Sequence, residues 1–184
     1  MADLLRGTRP EDMVLTPHGV RFQGRTLPCS IGKGGLSKHK VEGDGATPVG
    51  CHRIVGMLYR PDRLSRPAPW AEMIGPRDLW SDDTDDAAYN HHVRAPYTKS
   101  HEALRRADPL YDLVFITDWN WPKATPGRGS AIFIHQWRRP RFGTEGCIAF
   151  SRSDLLWLAR RITIGTRLIV PPLASKTVAG ASGQ

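Results

Sequence analysis

No stretch of eighteen apolar residues occurs in this chain, so nothing in it reads as a transmembrane helix. The opening segment, MADLLRGTRPEDMVLTPHG, lacks an apolar core of secretory length. As it stands the chain is therefore expected to carry no export signal. Cytoplasmic residence, export by another route, or a leader outside these residues would each account for that. Cysteine is scarce and odd in number: Cys29, Cys51 and Cys147 leave at least one thiol unpaired within the chain. No disulfide framework is legible, and no CxxC spacing points to zinc. A phosphate-binding GxxxxGK[ST] is also missing. The glycine-rich run GKGGLSKHKVEGDGATPVG (32–50) lacks the strand–loop–helix setting such a site needs, so it reads as a mobile connection with turn glycines. SDDTDD (81–86) has neither the spacing nor the closing Glu of a calcium loop and reads as a solvated acidic turn. No metal and no organic cofactor is expected.

What is present describes a folded, strand-rich chain. At 184 residues, 40% apolar and 24% charged, it suits one domain with a sizeable core. Its 18 glycines and 15 prolines exceed average usage, which favours turns and strands over a helical bundle. The formal net charge of +8 attracts polyanions: nucleic acid, anionic lipid or an acidic cell-wall polymer. No internal repeat occurs.

Residues 1–25 read as an N-terminal strand or hairpin around Pro17-His18-Gly19. Strands are expected at 26–32, 51–60, 111–119, 130–137 and in the closing TRLIVPPL, and an extended insertion at 61–96. TKSHEALRRAD (98–108) reads as a short helix, capped by Thr98 or Ser100, with Glu102 in its first turn and Pro109 as its stop. SRSDLLWLARRI (151–162) reads as a second helix, with Ser151 as cap and Leu155, Leu158, Ala159 and Ile162 as its apolar face. The tail, 173–184, is small and polar and expected to fray.

The chemistry concentrates in HQWRRPRFGTEGCIAF (135–150). His135 closes an apolar strand, and Cys147 follows Gly146 in a turn. A thiol nucleophile needs a base beside it or a lowered pKa. His135 is the candidate base, and Arg138, Arg139 and Arg141 are candidate sources of positive potential. The N–H groups of Gly146 and Cys147 are candidate donors to an oxyanion, with Gly146 allowing a backbone shape that a Cβ would obstruct. The plain alternative is that Cys147 is a small buried hydrophobe. Cys29 and Cys51 sit in apolar strand runs and are expected in the core, with His52 facing away from Cys51. His91, His92 and His101 read as surface or capping histidines.

SAIFIHQWRRPRFGTEGCIAFSRSDL resembles the catalytic signature of the L,D-transpeptidase (YkuD-type) family, which places a histidine on a strand ahead of a Ser/Thr-x-Gly-Cys turn. Here the turn is Thr144, Glu145, Gly146 and Cys147. EGDGATPVG (42–50), WSDD and YN (80–83, 89–90) and YDLVFITDWN with GRGSAIFIH are similar to one bacterial branch of that family. The resemblance runs from about residue 26 to 172 and implies a mainly β, sandwich-like catalytic domain over that range. It also implies a cysteine acyl transfer on peptidoglycan stem peptides, in the periplasm or cell envelope, with no nucleic-acid partner. Cys147 would be the nucleophile and His135 the base, with Thr144, Trp137, Arg138, Arg139 and Arg141 contacting substrate. Relatives commonly carry His at the position of Glu145, Arg at that of Ala149 and Gly at that of Gln136. These departures imply a reshaped donor site and an unusual cross-link.

Three functions follow from these residues. The leading one is an L,D-transpeptidase. Water replacing the amine would give an L,D-carboxypeptidase. A non-catalytic basic module would instead use WRRPR and the tryptophans to bind an anionic polymer.

Overall fold

A computed structural model describes residues 7–172; the expected tail at 173–184 lies outside the described residues. The elements, in chain order, are strands β1 (Met13–Thr16), β2 (Gly19–Phe22), β3 (Arg25–Leu27), β4 (Cys29–Ser30), β5 (Leu36–Ser37), β6 (Thr47–Pro48), β7 (Gly50–Tyr59), β8 (Glu72–Met73), β9 (Asp78–Ser81), β10 (His92–Arg94), β11 (His101–Ala103), β12 (Leu113–Thr117), β13 (Phe133–Gln136) and β14 (Ile148–Phe150), helix α1 (Arg152–Ala159), and strand β15 (Arg167–Val170). The domain is mainly β, as its glycine and proline content implied.

Most strands belong to one sheet in the order β3-β2-β1-β15-β7-β12-β13-β14-β4, with β8 added along β7. Its two edge strands, β3 and β4, are consecutive in sequence, separated by Pro28 alone. A chain can leave one edge and enter the other through a single residue only if the sheet curls until its edges nearly meet, and the sheet is nearly closed. Proline suits this corner because it asks for no ladder donor. Inside the curl lie Met13, Leu15, Phe22, Ile54, Phe115, Ile134 and Phe150. The helix closes the same core with Leu155, Leu158, Ala159 and Ile162, the apolar stripe read from the sequence. Ser151 caps it by accepting the Asp154 N–H at 3.1 Å.

The other face of β12 and β13 is also covered. There a three-stranded sheet, β10-β9-β11, packs Trp80 and Leu104 against Val114, Phe133 and Cys147. Alternation along β12 and β13 sends Leu113, Phe115 and Ile134 into the first core and Val114 and Phe133 into the second.

Three expectations are corrected. Residues 98–108 form no helix: β11 pairs with β9, with Glu102 opposite Trp80. The local cap signals were real but lacked a repeating apolar stripe, and pairing to a buried neighbouring strand outweighed them. Cys51 is exposed and Cys29 is half-buried, so neither is a fully buried core thiol. On β7 it is His52 that turns inward. Finally, the glycine-rich run 32–50 is tied down. The Lys40 ammonium is buried and ion-paired with Asp44, and Thr47 Oγ1 accepts the Gly32 N–H at 2.8 Å.

Candidate active site

Cys147 and His135 lie on the same face of the large sheet. Strands β13 and β14 run parallel, with Ile134 beside Ile148 and His135 beside Ala149. Ile134 and Ile148 enter the curled core, so Phe133, His135 and Cys147 face the other way, towards the three-stranded sheet. Cys147 precedes Ala149 by two residues, which puts its side chain diagonally across from His135. Diagonal neighbours on adjacent strands are close enough for an aromatic or other long side chain to reach across. Ala149, beside His135 on the same face, is fully buried.

The turn before β14 is built by two threonines. Thr144 Oγ1 accepts the Gly146 N–H at 3.2 Å and donates to the Cys147 carbonyl at 2.6 Å. Thr47, from the TPVG segment, donates its hydroxyl to the Gly146 carbonyl at 2.8 Å. Gly146 has φ +138°, and a Cβ there would lie 3.0 Å from the Ala46 carbonyl oxygen. Only glycine fits that backbone and that gap. Because Thr144 already accepts the Gly146 N–H, that donor must be released before it can serve an oxyanion.

The thiol is buried, at 7% exposure, and hydrogen-bonded at both ends. It donates to the Ala131 carbonyl at 3.1 Å and accepts the Phe133 N–H at 3.4 Å. Burial, then the negative charge of Glu102, pushes its pKa up to about 12, against weaker opposing effects of the Phe133 N–H and Lys40. His135 is equally enclosed, and burial brings its pKa down to about 4. Its Nδ1 lies 2.7 Å from the Gln136 carbonyl oxygen. A carbonyl only accepts, so Nδ1 carries the proton and Nε2 keeps its lone pair. The resting pair is thus a neutral thiol and a neutral imidazole oriented as a base. Burial opposes charging either of them.

Lys40, rather than the arginines expected to depress the thiol pKa, stands among the largest influences on Cys147. Arg138, Arg139 and Arg141 are exposed on the loop between β13 and the turn. The guanidinium carbons of Arg138 and Arg139 lie 5.6 and 4.8 Å from the centre of the Phe142 ring, and Arg141 takes a left-handed φ of +64°. Trp137 is half-buried, its N–H donated to the Phe150 carbonyl at 2.8 Å. Glu145 points outward and pairs with Lys33 at 2.7 Å, both side chains well exposed, a contact of small energetic weight. His91 is bonded to the Tyr89 and Pro122 carbonyls and His101 to the Lys99 carbonyl, while His92 pairs with Asp78.

Sequence reasoning passed over the residues around the pair. Tyr111 sets its ring edge-on to His135, with centroids 5.2 Å apart, and donates its hydroxyl to Glu102. Trp80 packs edge-on against Phe133 at 5.0 Å. Asn90 accepts from Trp80 Nε1 at 3.0 Å and from the Ala131 N–H at 2.9 Å, and donates to the Trp119 and Asn120 carbonyls at 3.1 and 2.8 Å. The WSDD and YN segments supplied two of these residues, but what they do is visible only once the chain is folded.

Fold and site together define a class: a mainly β domain with a thiol and an imidazole on one sheet face, enclosed by aromatic side chains. Residues 12–170 match the YkuD family, the L,D-transpeptidase catalytic domain, and the chain belongs to that family. No curated protein and no solved structure matched the chain.

Proposed function

We propose that this protein is a peptidoglycan L,D-transpeptidase of the cell envelope, joining stem peptides through a thioester on Cys147. The observation that carries the reading is the neutral His135 ring, its Nδ1 committed to the Gln136 carbonyl, on the same sheet face as Cys147. A stem carbonyl enters above the thiol. His135 Nε2 takes the thiol proton as sulfur attacks the carbonyl carbon. The oxyanion forms against the Cys147 N–H, joined by the Gly146 N–H as it leaves Thr144. Collapse expels the terminal D-residue, which takes its proton from His135, and leaves the thioester. An amine of a second stem then attacks, His135 accepts a proton and returns it to sulfur, and the cross-link is released. Arg138, Arg139 and Arg141, exposed beside the site, hold the carboxylates of the stems, and Thr144 and Trp137 line the approach.

A basic module with no reaction would not need a buried thiol under a tautomer-fixed imidazole. The test is purified protein incubated with muropeptide monomers, with products resolved by mass. Dimers support transpeptidation. Trimmed monomers alone would convert the reading to a carboxypeptidase, and unchanged monomers would refute both.

A further inference from the structure

Glu102 is a half-buried carboxylate on the small sheet that covers the thiol of a strongly basic protein. Strand β11 holds it opposite Trp80, whose ring packs on Phe133, the residue whose N–H reaches Cys147 Sγ. Its Oε2 accepts the Tyr111 hydroxyl, and Tyr111 lies edge-on against His135. As the cross-strand partner of Trp80 it shares that residue's face, turned towards the core that holds Cys147. Nearby Arg106 lies over the Tyr111 ring and is taken by Asp108 at 2.8 Å. Among the described residues no cation is ion-paired with Glu102. Arg106 still acts on it at a distance, and the carboxylates of Asp82 and Glu42 oppose that effect. Asp82 Oδ1 is itself buried without a donor from the protein, and Glu42 accepts the Tyr89 hydroxyl.

A carboxylate near a nucleophilic thiol opposes it, because it resists the thiolate. Its presence makes sense if a positive charge arrives there during the reaction. In acyl transfer to an amine, one does: the acceptor enters as an ammonium ion and must lose a proton before its nitrogen can attack.

We propose that Glu102, held by Tyr111, is the acceptor-binding residue of the site, receiving the ammonium group of the second stem beside the Cys147 thioester. The inference rests on the acyl-transfer reading above and names what selects the amine over water. The ammonium gives one proton to the Glu102 carboxylate, and the freed lone pair attacks the thioester carbon. The C–N bond forms, the second departing proton passes to His135 Nε2, the C–S bond breaks, and His135 returns that proton to sulfur. The proton on Glu102 goes to solvent, so the sum is thioester plus ammonium giving amide, thiol and one proton. Burial raises the Glu102 pKa, which makes it a better acceptor for that proton. Water can donate a hydrogen bond to Glu102 but carries no charge, so it gains less than an ammonium does and the carboxylate biases the thioester towards cross-linking.

The test uses the full chain and two substrates: a disaccharide-tetrapeptide monomer with its free stem amine, and the same monomer with that amine acetylated, which serves as donor only. Glu102→Gln keeps an oxygen for the Tyr111 hydroxyl but removes the charge. It should lower the ratio of dimer to hydrolysed monomer at least about tenfold and raise the acceptor concentration giving half-maximal dimer. The thioester adduct, read by intact mass with the acetylated donor, should still appear. Tyr111→Phe keeps the ring on His135 and frees the carboxylate. It should shift the same ratio in the same direction by less, and it carries the test if Glu102→Gln does not fold. A dimer-to-hydrolysis ratio equal to wild type in the folded variants overturns the proposal, as does loss of the adduct together with the dimer. If the wild-type protein forms neither adduct nor dimer, it is the acyl-transfer reading that fails.

Discussion

Asn90 Oδ1 accepts the backbone N–H of Ala131 at 2.9 Å, and the carbonyl of that same alanine receives the Cys147 thiol at 3.1 Å. Ala131 sits at φ +49°, a left-handed conformation that an L-residue adopts only when its surroundings hold it. Asn90, itself buried at φ +58° with partners on both its oxygen and its nitrogen, is what holds it. The position of the Cys147 thiol is thus set through Ala131 by a side chain that does not touch it.

Asn90→Ala should therefore cost both stability and rate. It leaves the Trp80 indole N–H and the Ala131 N–H without their acceptor, a loss of roughly 2–4 kcal/mol. The relaxed Ala131 should also let the thiol drift and lower kcat about tenfold or more. Urea denaturation and steady-state kinetics measure the two. A loss below about 0.5 kcal/mol, the usual range of an inconsequential surface change, would show that Asn90 does not hold the turn.

The pH dependence should be displaced from that of an ordinary histidine. The His135 pKa falls from 6.5 to about 4 because burial disfavours the charged ring. A base whose folded pKa is depressed binds fewer protons folded than unfolded. Its neutral form is fully compatible with folding above about pH 6.5, and stability is lost between there and pH 4, by up to roughly 3 kcal/mol. His52, also buried and depressed, adds to the same loss. For activity, kcat/KM should stay level down to about pH 5 and bend near the folded pKa. His135→Ala should cut the rate by about 10² or more. An acid limb centred near 6.5 would mean that the ring is solvated in the free enzyme.

Thiol reactivity should run opposite to catalytic importance. Cys51 is exposed, whereas Cys147 is buried with a pKa pushed up to about 12. A maleimide at neutral pH should therefore modify Cys51 first and Cys147 slowest, since the thiolate is the reactive form. Peptide mapping of the alkylated protein reports the order. Fast, selective labelling of Cys147 would show that its thiolate already exists at rest.

Arg138, Arg139 and Arg141 are exposed, two of them resting on Phe142, and are free to meet an anionic stem. A guanidinium binds a carboxylate through two parallel hydrogen bonds, which lysine cannot reproduce. At least one Arg→Lys change should raise KM for the donor at low salt and alter kcat less. If all three leave KM unaltered, the carboxylates are held elsewhere.

Much of this was readable from the chain, and the reasons for the rest are physical. The strands at 51–60 and 111–119 and helix α1 carry strong local patterns, and each formed where its pattern lay. The turn from Thr144 to Cys147 was legible because Gly146 and the threonine are a local device. Glu102 was not. Its neighbours looked helical, and its surroundings come from Trp80 across the strand and Tyr111, which donates its hydroxyl to it. Lys40 was hidden for the same reason: its burial is created by the fold around it, not by the polar run in which it sits. The raised thiol pKa also had no local sign, because desolvation is a property of the assembled core.

The most direct test of the account is to catch the thioester. Wild-type protein mixed with a tetrapeptide-stem donor and quenched in acid within one turnover should gain, by intact mass, the donor less its terminal residue. Peptide mapping should place that gain on Cys147. Cys147→Ala should fold, show no gain and form no product. Product formed by Cys147→Ala at the wild-type rate, or an adduct on Cys29 or Cys51 instead, would contradict the account.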